Sequence, residues 1–356
     1  MNIAFVNSTK KWGGVKTHTI EFAAALVKNG HQVFIYARQP SFLEAAKANQ
    51  MIPMDTSFSF DFNPLSIARF RQEFRHNRID LVIANVGKDM ATAGVAAKLL
   101  GIPLVQHLGA GKDIAPKLKY KIIHKLLNPF FFCTADFIAQ EFMQHLPWIN
   151  KERVTVVLNG KKTTNHPLTT NSPRKFVANH QLVSGKDYKS LLKALALQSE
   201  PFLFEIVGVG PQEKTLRSLA SKLNIQDKII WHGFLPNPME VLNKADIFLL
   251  ASLSEGLPNT LLEALAAGLL PICRDVGGVR EVWPDELEQW LLPYNATAQD
   301  FAKVIERALK LGDTELLELK AKSRETCKKK CAFELMAKEF ERYLLSILEN
   351  KKTFKP

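Results

Sequence analysis

Residues 252–282, SLSEGLPNTLLEALAAGLLPICRDVGGVREV, decide the fold. The run before them, Ala245 to Ser252, is short, apolar and bounded by polar residues, as a buried parallel strand is. A turn follows at Ser254-Glu255-Gly256-Leu257, and Pro258 opens a helix, where its missing N–H costs nothing. The helix carries Leu261, Leu262, Leu265 and Ala266 and stops at Gly268. LPICRDV is a second apolar strand, closed by Gly277-Gly278. The unit is strand–turn–helix–strand, with one carboxylate in the turn, Glu255, and a second one turn into the helix, Glu263.

Ligands of open parallel sheets bind at strand ends and helix N-termini, where free N–H groups attract phosphate. Carboxylates there suit the neutral, hydroxyl-rich parts of a ligand, since they accept hydrogen bonds from paired sugar hydroxyls. A nucleotide-sugar offers both chemistries. The alternative is that Glu255 caps the helix and Glu263 is solvated.

The stretch closely resembles the signature of retaining glycosyltransferases of family 4, which have the GT-B fold. That signature has two glutamates separated by seven residues, a small-residue helix, a proline at the strand entry and a Gly-Gly. Here these are Glu255, Glu263, Ala264 to Gly268, Pro271 and Gly277-Gly278. The resemblance implies an α/β chain of two Rossmann-like, doubly wound domains facing a cleft, the last helix crossing back to the first domain. It places an acceptor-side domain at 1–163 with a returning helix at about 333–350, and a nucleotide-sugar domain at 173–330.

Length and composition fit such a chain. Its 356 residues are enough for two cores. Hydrophobic content of 46% and a mean hydropathy of −0.06 are those of an ordinary globular protein. No apolar run reaches the roughly 20 residues of a membrane span. MNIAFVN reads directly as a strand rather than a leader peptide. Four cysteines without framework spacing suggest a reducing compartment, and Cys327 with Cys331 alone do not make a zinc site. The expected location is cytoplasmic, peripheral on the inner face of the membrane. Net charge is +12, of which residues 1–170 hold +10 (21 Lys/Arg against 11 Asp/Glu), so the anionic partner belongs to the N-terminal half.

That half opens with a strand, a Trp12-Gly13-Gly14 turn and a helix over Val15–Lys28, closed by Asn29-Gly30. The full dinucleotide fingerprint is absent. Within the resemblance, Gly13 and Gly14 lie near the diphosphate and acceptor, and Gly30-His31-Gln32-Val33 continues the pattern. Lys16 is placed to reach an anion from the helix start; the alternative is an exposed lysine. A helix over Leu65–His76 carries Arg69, Arg71 and Arg75. His107 ends a strand at the expected cleft, where the family has a histidine near the donor sugar. Asn85 stands where many members have another histidine.

Residues 112–132 interleave Lys117, Lys119, Lys121 and Lys125 with Leu118, Ile122, Ile123, Leu126 and Leu127. This pattern fits an interfacial segment on an anionic membrane, or an amphipathic helix with a buried face. No stacking platform points to nucleic acid. Residues 161–173, polar with two prolines, read as a linker.

In the second half Lys186 matches the family's phosphate-binding lysine. Its arginine falls on Asn179 or His180, with about two extra residues before the lysine, leaving His180 or Arg174 as substitutes. Gly208 and Gly210 resemble the loop near the base, and Phe234 follows the next strand. The implied donor-binding set is Gly13, Gly14, Lys186, Gly208, Gly210, Phe234 and Glu255 to Thr260 (Glu255, Gly256, Leu257, Pro258, Asn259, Thr260) with Glu263; His107 and Glu255 are the catalytic pair. No metal or other cofactor is implied. The expected reaction moves a hexosyl group from a nucleotide-diphospho-sugar, UDP-linked, to a sugar or glycolipid hydroxyl with retention, in polysaccharide or lipopolysaccharide synthesis. The alternatives are a nucleotide-sugar 2-epimerase of the same fold, or a degenerate module that binds sugar or membrane.

Overall fold

A computed structural model describes residues 1–353, and contacts between residues divide the chain into two units. The first comprises Met1–Asn159 and the chain from Glu334 on; the second is Gly160–Phe333.

The first unit is one parallel sheet of β1 (Asn2–Asn7), β2 (Gln32–Ala37), β3 (Ile52–Asp55), β4 (Leu81–Ala84), β5 (Leu104–Leu108), β6 (Phe130–Cys133) and β7 (Val154–Val156), in the order β3-β2-β1-β4-β5-β6-β7. Strand order reverses between β1 and β4, the switch point where such sheets take ligands. Helix Gly14–Lys28 follows β1 and buries Phe22, Ala23 and Leu26. Residues 41–78 are more regular than their sequence suggests: helix Pro40–Ala48 and the short edge strand β3 precede helix Pro64–His76. β3 escapes a reading by alternation because three of its four residues are exposed.

The last helix, Phe333–Thr353, packs within this first unit. Phe340 lies edge-on to Phe22 at 5.2 Å and tilted on Phe132 at 4.8 Å. Glu341 accepts from Asn29 Nδ2 at 2.6 Å and pairs with His31 Nε2 at 2.6 Å. The Tyr343 hydroxyl donates to the Phe131 carbonyl. The apolar stripe of this helix thus finds its core about 200 residues upstream, as a returning helix must.

The second unit is another parallel sheet, of β8 (Arg174–Ala178), β9 (Phe202–Val207), β10 (Ile229–Gly233), β11 (Ile247–Leu250), β12 (Leu270–Arg274) and β13 (Leu291–Leu292), in the order β10-β9-β8-β11-β12-β13. Its switch point lies between β8 and β11. Residues 161–173 are no free linker. Lys161 N–H donates to the Cys331 carbonyl, Phe333 N–H donates back to that of Lys161, and Thr164 N–H donates to Ala266. Asn171 donates to the buried Asp246, which also holds the Lys175 amide. Most of these bonds are made by the segment's backbone, which composition does not reveal, so composition alone suggests a linker.

Candidate active site

The switch point of the second unit gathers the charged residues of the opening stretch. β8 leads through Asn179 to a short turn, Ser184–Lys186, and helix Tyr188–Ala196. β11 leads through Glu255 to helix Asn259–Ala267, with Pro258 one place earlier than expected, at the N-cap. The two loops are joined by a bond from Leu253 N–H to the Gly185 carbonyl. Lys186 Nζ donates to Glu255 Oε1, and both side chains keep partial access to solvent. Glu263 accepts from Asn179 Nδ2 at 2.7 Å and lies 3.7 Å from Lys161 Nζ. Each carboxylate is therefore aimed by a named donor. Helix Asn259–Ala267 starts at Pro258, which makes no side-chain cap bond, and its N-terminal end carries the helix's partial positive charge.

Close approach explains the glycines around this site. Gly277 has φ +58°, and a Cβ on it would lie 2.0 Å from the Glu255 carbonyl oxygen; Gly278 N–H donates to the Gly256 carbonyl at 2.5 Å. Gly208 (φ +142°) and Gly210 lie against the carbonyls of His180 and Leu182, where a Cβ would meet those oxygens at 2.1 and 2.4 Å. Phe234, just beyond β10, is 70% exposed.

Both substitutes for the missing arginine are corrected by the structure. Arg174 begins β8, at the end opposite the switch point, and donates to Asp313, Asn171 and Leu311. His180 is buried between Tyr188 and Phe248, its Nδ1 3.2 Å from the Tyr188 hydroxyl. Burial, with Lys186 nearby, pushes its pKa down to about 3, so it offers a phosphate no charge at neutral pH. Asn179, at the arginine position, serves Glu263 instead. Sequence reasoning missed Arg274. It ends β12 in buried surroundings, donating from Nη2 to Asp187 at 3.1 Å and from Nη1 to the Tyr294 carbonyl. Asp187 directly follows Lys186, so this bond fixes the lysine's turn. Lys161 was missed because it sits in the apparent linker.

In the first unit Gly13 is exposed and extended (φ −167°), and a Cβ there would meet nothing within 4 Å. Neither backbone nor packing requires this glycine, and helix Gly14–Lys28 starts uncapped beside it. Lys16 is corrected: it is 1% exposed, and its ammonium donates to the Thr9 carbonyl and the Gln39 side chain. Burial, with Arg38 nearby, lowers its pKa.

His107 is also corrected. One residue inside the end of β5, its ring turns into the sheet's packing, 4.8 Å from His18 and 4.9 Å from Phe132. It is 4% exposed, and burial lowers its pKa to about 4. The ring is thus buried and neutral in this structure, with its Nε2 making no hydrogen bond among the described residues. Asn85, in the position of the other expected histidine, donates to the His107 carbonyl at 3.0 Å and accepts from Asn7. Asp89, wholly buried, ties this strand edge together by accepting from the amides of Ser8 and Val86 at 3.0 Å.

These buried groups set a pH dependence of stability. An unfolded imidazole binds its proton near pH 6.5, whereas burial holds those of His107 and His124 off until about pH 4. Stability is full above pH 6.5 and falls as pH drops towards 4, by about 3 kcal/mol for each. Asp89 works oppositely, its pKa raised by burial to about 6, and offsets one of them, while the likewise buried His180, lowered to about 3, adds to the loss in acid. Thermal melts at about pH 7 and about pH 4.5 should show a clear fall in Tm, smaller in His107→Phe. An equal fall in that variant would mean His107 titrates normally.

Lys117, Lys121 and Lys125 are exposed on helix Leu118–Leu127 and its N-cap, while Lys119 pairs with Asp61. Beside them runs an exposed apolar row: Leu118 (71% exposed), Ile122 (49%) and Leu126 (62%). The segment carrying Asp61 adds exposed Phe60, Phe62 and Leu65. Among the described residues no group of three or more His, Cys, Asp or Glu converges as a metal set, and no helix is long and apolar enough to cross a membrane.

Two successive doubly wound parallel sheets, the last helix returning to the first, make the GT-B fold. Solved structures share it: a glycosyltransferase of Rickettsia africae matches with a TM-score of 0.85 at 18% identity, over 98% of this chain and 99% of that one. Anabaena HepE, solved with UDP and glucose, matches at 0.78 and 17%, over 97% and 100%. Residues 161–330 match the family model of glycosyl transferases group 1, and residues 12–164 that of glycosyltransferase family 4. The chain belongs to this glycosyltransferase family. Relatives include a Campylobacter jejuni N-acetylgalactosaminyltransferase acting on a diphospho-undecaprenol-linked sugar, 33% identical over 30% of this chain and 29% of its own. The putative colanic acid biosynthesis glycosyltransferase WcaL of Salmonella typhimurium is 30% identical over 44% and 39%. The matches thus span less than half the length of these curated relatives.

Proposed function

We propose that the protein transfers a sugar from a UDP-sugar to an acceptor hydroxyl with retention, in the building of a cell-surface polysaccharide or lipopolysaccharide. The observation that carries this reading is the joined pair at the second switch point: Lys186 on Glu255, beside Glu263 held by Asn179 and Lys161. Lys186 and the first N–H groups of helix Asn259–Ala267 receive the diphosphate, supported by the amides from Gly256 to Thr260. Glu255, released from Lys186 by the incoming phosphate, accepts the donor sugar's hydroxyls. Glu263 accepts those of the ribose. Phe234 and the Gly208–Gly210 loop offer the base an apolar face and close backbone. The acceptor oxygen bonds to the anomeric carbon as the bond to the β-phosphate oxygen breaks. The electron pair leaves on the diphosphate, and the acceptor's proton passes to that phosphate or to solvent. Positive charge already in place beside the leaving group lowers the barrier.

A UDP donor is supported by the Anabaena neighbour, whose structure holds UDP. Thermal shifts with UDP, GDP, ADP and CMP should single out UDP, and UDP release from a UDP-sugar should need an acceptor beyond slow hydrolysis. Isomerisation of the donor without acceptor would favour the 2-epimerase instead. Binding to neither nucleotide nor sugar would leave the degenerate module.

The row of Leu118, Ile122 and Leu126, flanked by lysines and by Phe60, Phe62 and Leu65, suits an anionic membrane carrying a glycolipid acceptor. The full chain should sediment with phosphatidylglycerol vesicles and much less with phosphatidylcholine ones. Neutralising Lys117, Lys121 and Lys125 together should cut that binding about 100-fold, at about 1 kcal/mol per basic residue. Undiminished sedimentation would remove the helix from the membrane face.

A further inference from the structure

The first unit holds a polar pocket at the carboxyl ends of β2 and β3. It has a volume of about 490 Å³ and is lined by Arg38, Asp55, Thr56, Ser57, Phe58 and Arg69. Arg38 directly follows β2 and Asp55 ends β3, so the pocket occupies the carboxyl edge one and two strands from β1. At about 4.8 Å per strand it lies some 5–10 Å along that edge from β1, on the side away from β4.

The lining is chemically specific. Arg38 Nε is buried and makes no hydrogen bond among the described residues. Arg69 is braced from both sides, donating from Nε to Glu73 at 2.8 Å and from Nη2 to the Asp55 carbonyl at 3.3 Å. The Thr56 hydroxyl is committed to the Met54 carbonyl, whereas Ser57 is exposed. Phe58 leans on Phe70 at 6.0 Å. Two planar guanidinium groups recognise a carboxylate or phosphoryl group. Asp55 and Ser57 suit sugar hydroxyls, and a phenyl face suits a pyranose C–H face. The charges at the pocket are Arg38 and Arg69 against Asp55 and Glu73, with the Lys16 ammonium close to Arg38 but bonded to Thr9 and Gln39. The balance is positive by the lysine, and the unpaired donor is a guanidinium N–H.

We propose that this pocket holds a non-reacting, anionic sugar unit of the acceptor, a uronate or a sugar phosphate, so that the acceptor is an oligosaccharide extending beyond the reacting hydroxyl. This rests on the transferase reading for its meaning, though not for its binding chemistry. The test is calorimetry on the full chain with glucuronate, glucose 6-phosphate, glucose and inorganic phosphate, with UDP titrated in parallel, repeated in Arg38→Gln and Arg69→Gln. Glucuronate or glucose 6-phosphate should bind at least about 10-fold tighter than glucose, and whichever binds identifies the acidic group. Each variant should weaken that binding about 10-fold or more while leaving UDP affinity unchanged. Equal binding of glucose overturns the anionic requirement, and phosphate binding as tightly as glucose 6-phosphate overturns the sugar. Acidic sugars that bind equally to both variants overturn the pocket. UDP binding without acidic-sugar binding defeats this proposal alone; the converse defeats the transferase reading alone.

Discussion

Replacing Lys186 with alanine lowers kcat/KM for the donor by about 100- to 1000-fold, the usual cost of deleting a placed donor to a developing oxyanion. The size follows from what surrounds the lysine. The family's second phosphate cation is missing: its position is Asn179, spent on Glu263. His180 is neutral, and Arg174 is at the wrong end of β8. Arg274 is committed to Asp187 and the Tyr294 carbonyl. The other ammonium beside helix Asn259–Ala267, Lys161, lies 3.7 Å from Glu263, so among the described residues Lys186 is the cation paired with Glu255, and little is left to compensate for it. Lys186→Arg should recover part of the loss, because charge is kept while the Asp187 turn stays. The melting temperature without ligand should move little, since a partly exposed ion pair contributes about 0–1 kcal/mol. The measurement is UDP release under steady state with calorimetry for UDP. A kcat/KM within about threefold of the parent would take Lys186 out of the reaction.

Much of this was legible in the chain. Buried parallel strands are continuous apolar runs, and Ile247–Leu250 and Leu81–Ala84 declare themselves as such. The Glu255–Glu263 spacing and the Gly277-Gly278 pair are local features, so sequence order preserves them. What sequence order does not preserve is the direction of a side chain at a strand end. His107 and Leu108 are neighbours, and whether the ring faces ligand or core depends on a pleat one residue long. Lys16 fails for a related reason: a lysine at a helix start looks free until Gln39, 23 residues on, takes its ammonium. Lys161 and Arg274 are invisible for the opposite reason. Their meaning lies wholly in contacts 102 and 87 positions away, at Glu263 and Asp187.

Gly277→Ala should cost about 100-fold in kcat/KM while leaving the fold intact, and this tests the loop rather than any charge. The residue has φ +58°, where a Cβ alone costs about 1–2 kcal/mol. The greater obstacle is steric. The new methyl would sit 2.0 Å from the Glu255 carbonyl oxygen and 2.7 Å from that of Gly256, both backbone atoms that no rotamer change can clear. To restore contact distance the turn must retreat by roughly 1 Å or more, taking Glu255 away from Lys186 and breaking the bond from Gly278 N–H to the Gly256 carbonyl. A misplacement of about 1 Å is worth about 100-fold in rate. The core beneath is made by Leu261, Leu262 and Leu265, which the retreat does not touch, so the loss of stability stays near that of the backbone strain. Gly13→Ala is the matched control for strain: there φ is −167° and a Cβ meets nothing, so any loss reports ligand contact instead. Circular dichroism and melting curves establish that the Gly277 variant is folded, and UDP affinity with kcat then locates the damage. Full activity in Gly277→Ala would mean that the Glu255 turn works from a range of positions, and that its approach to Gly277 serves packing alone.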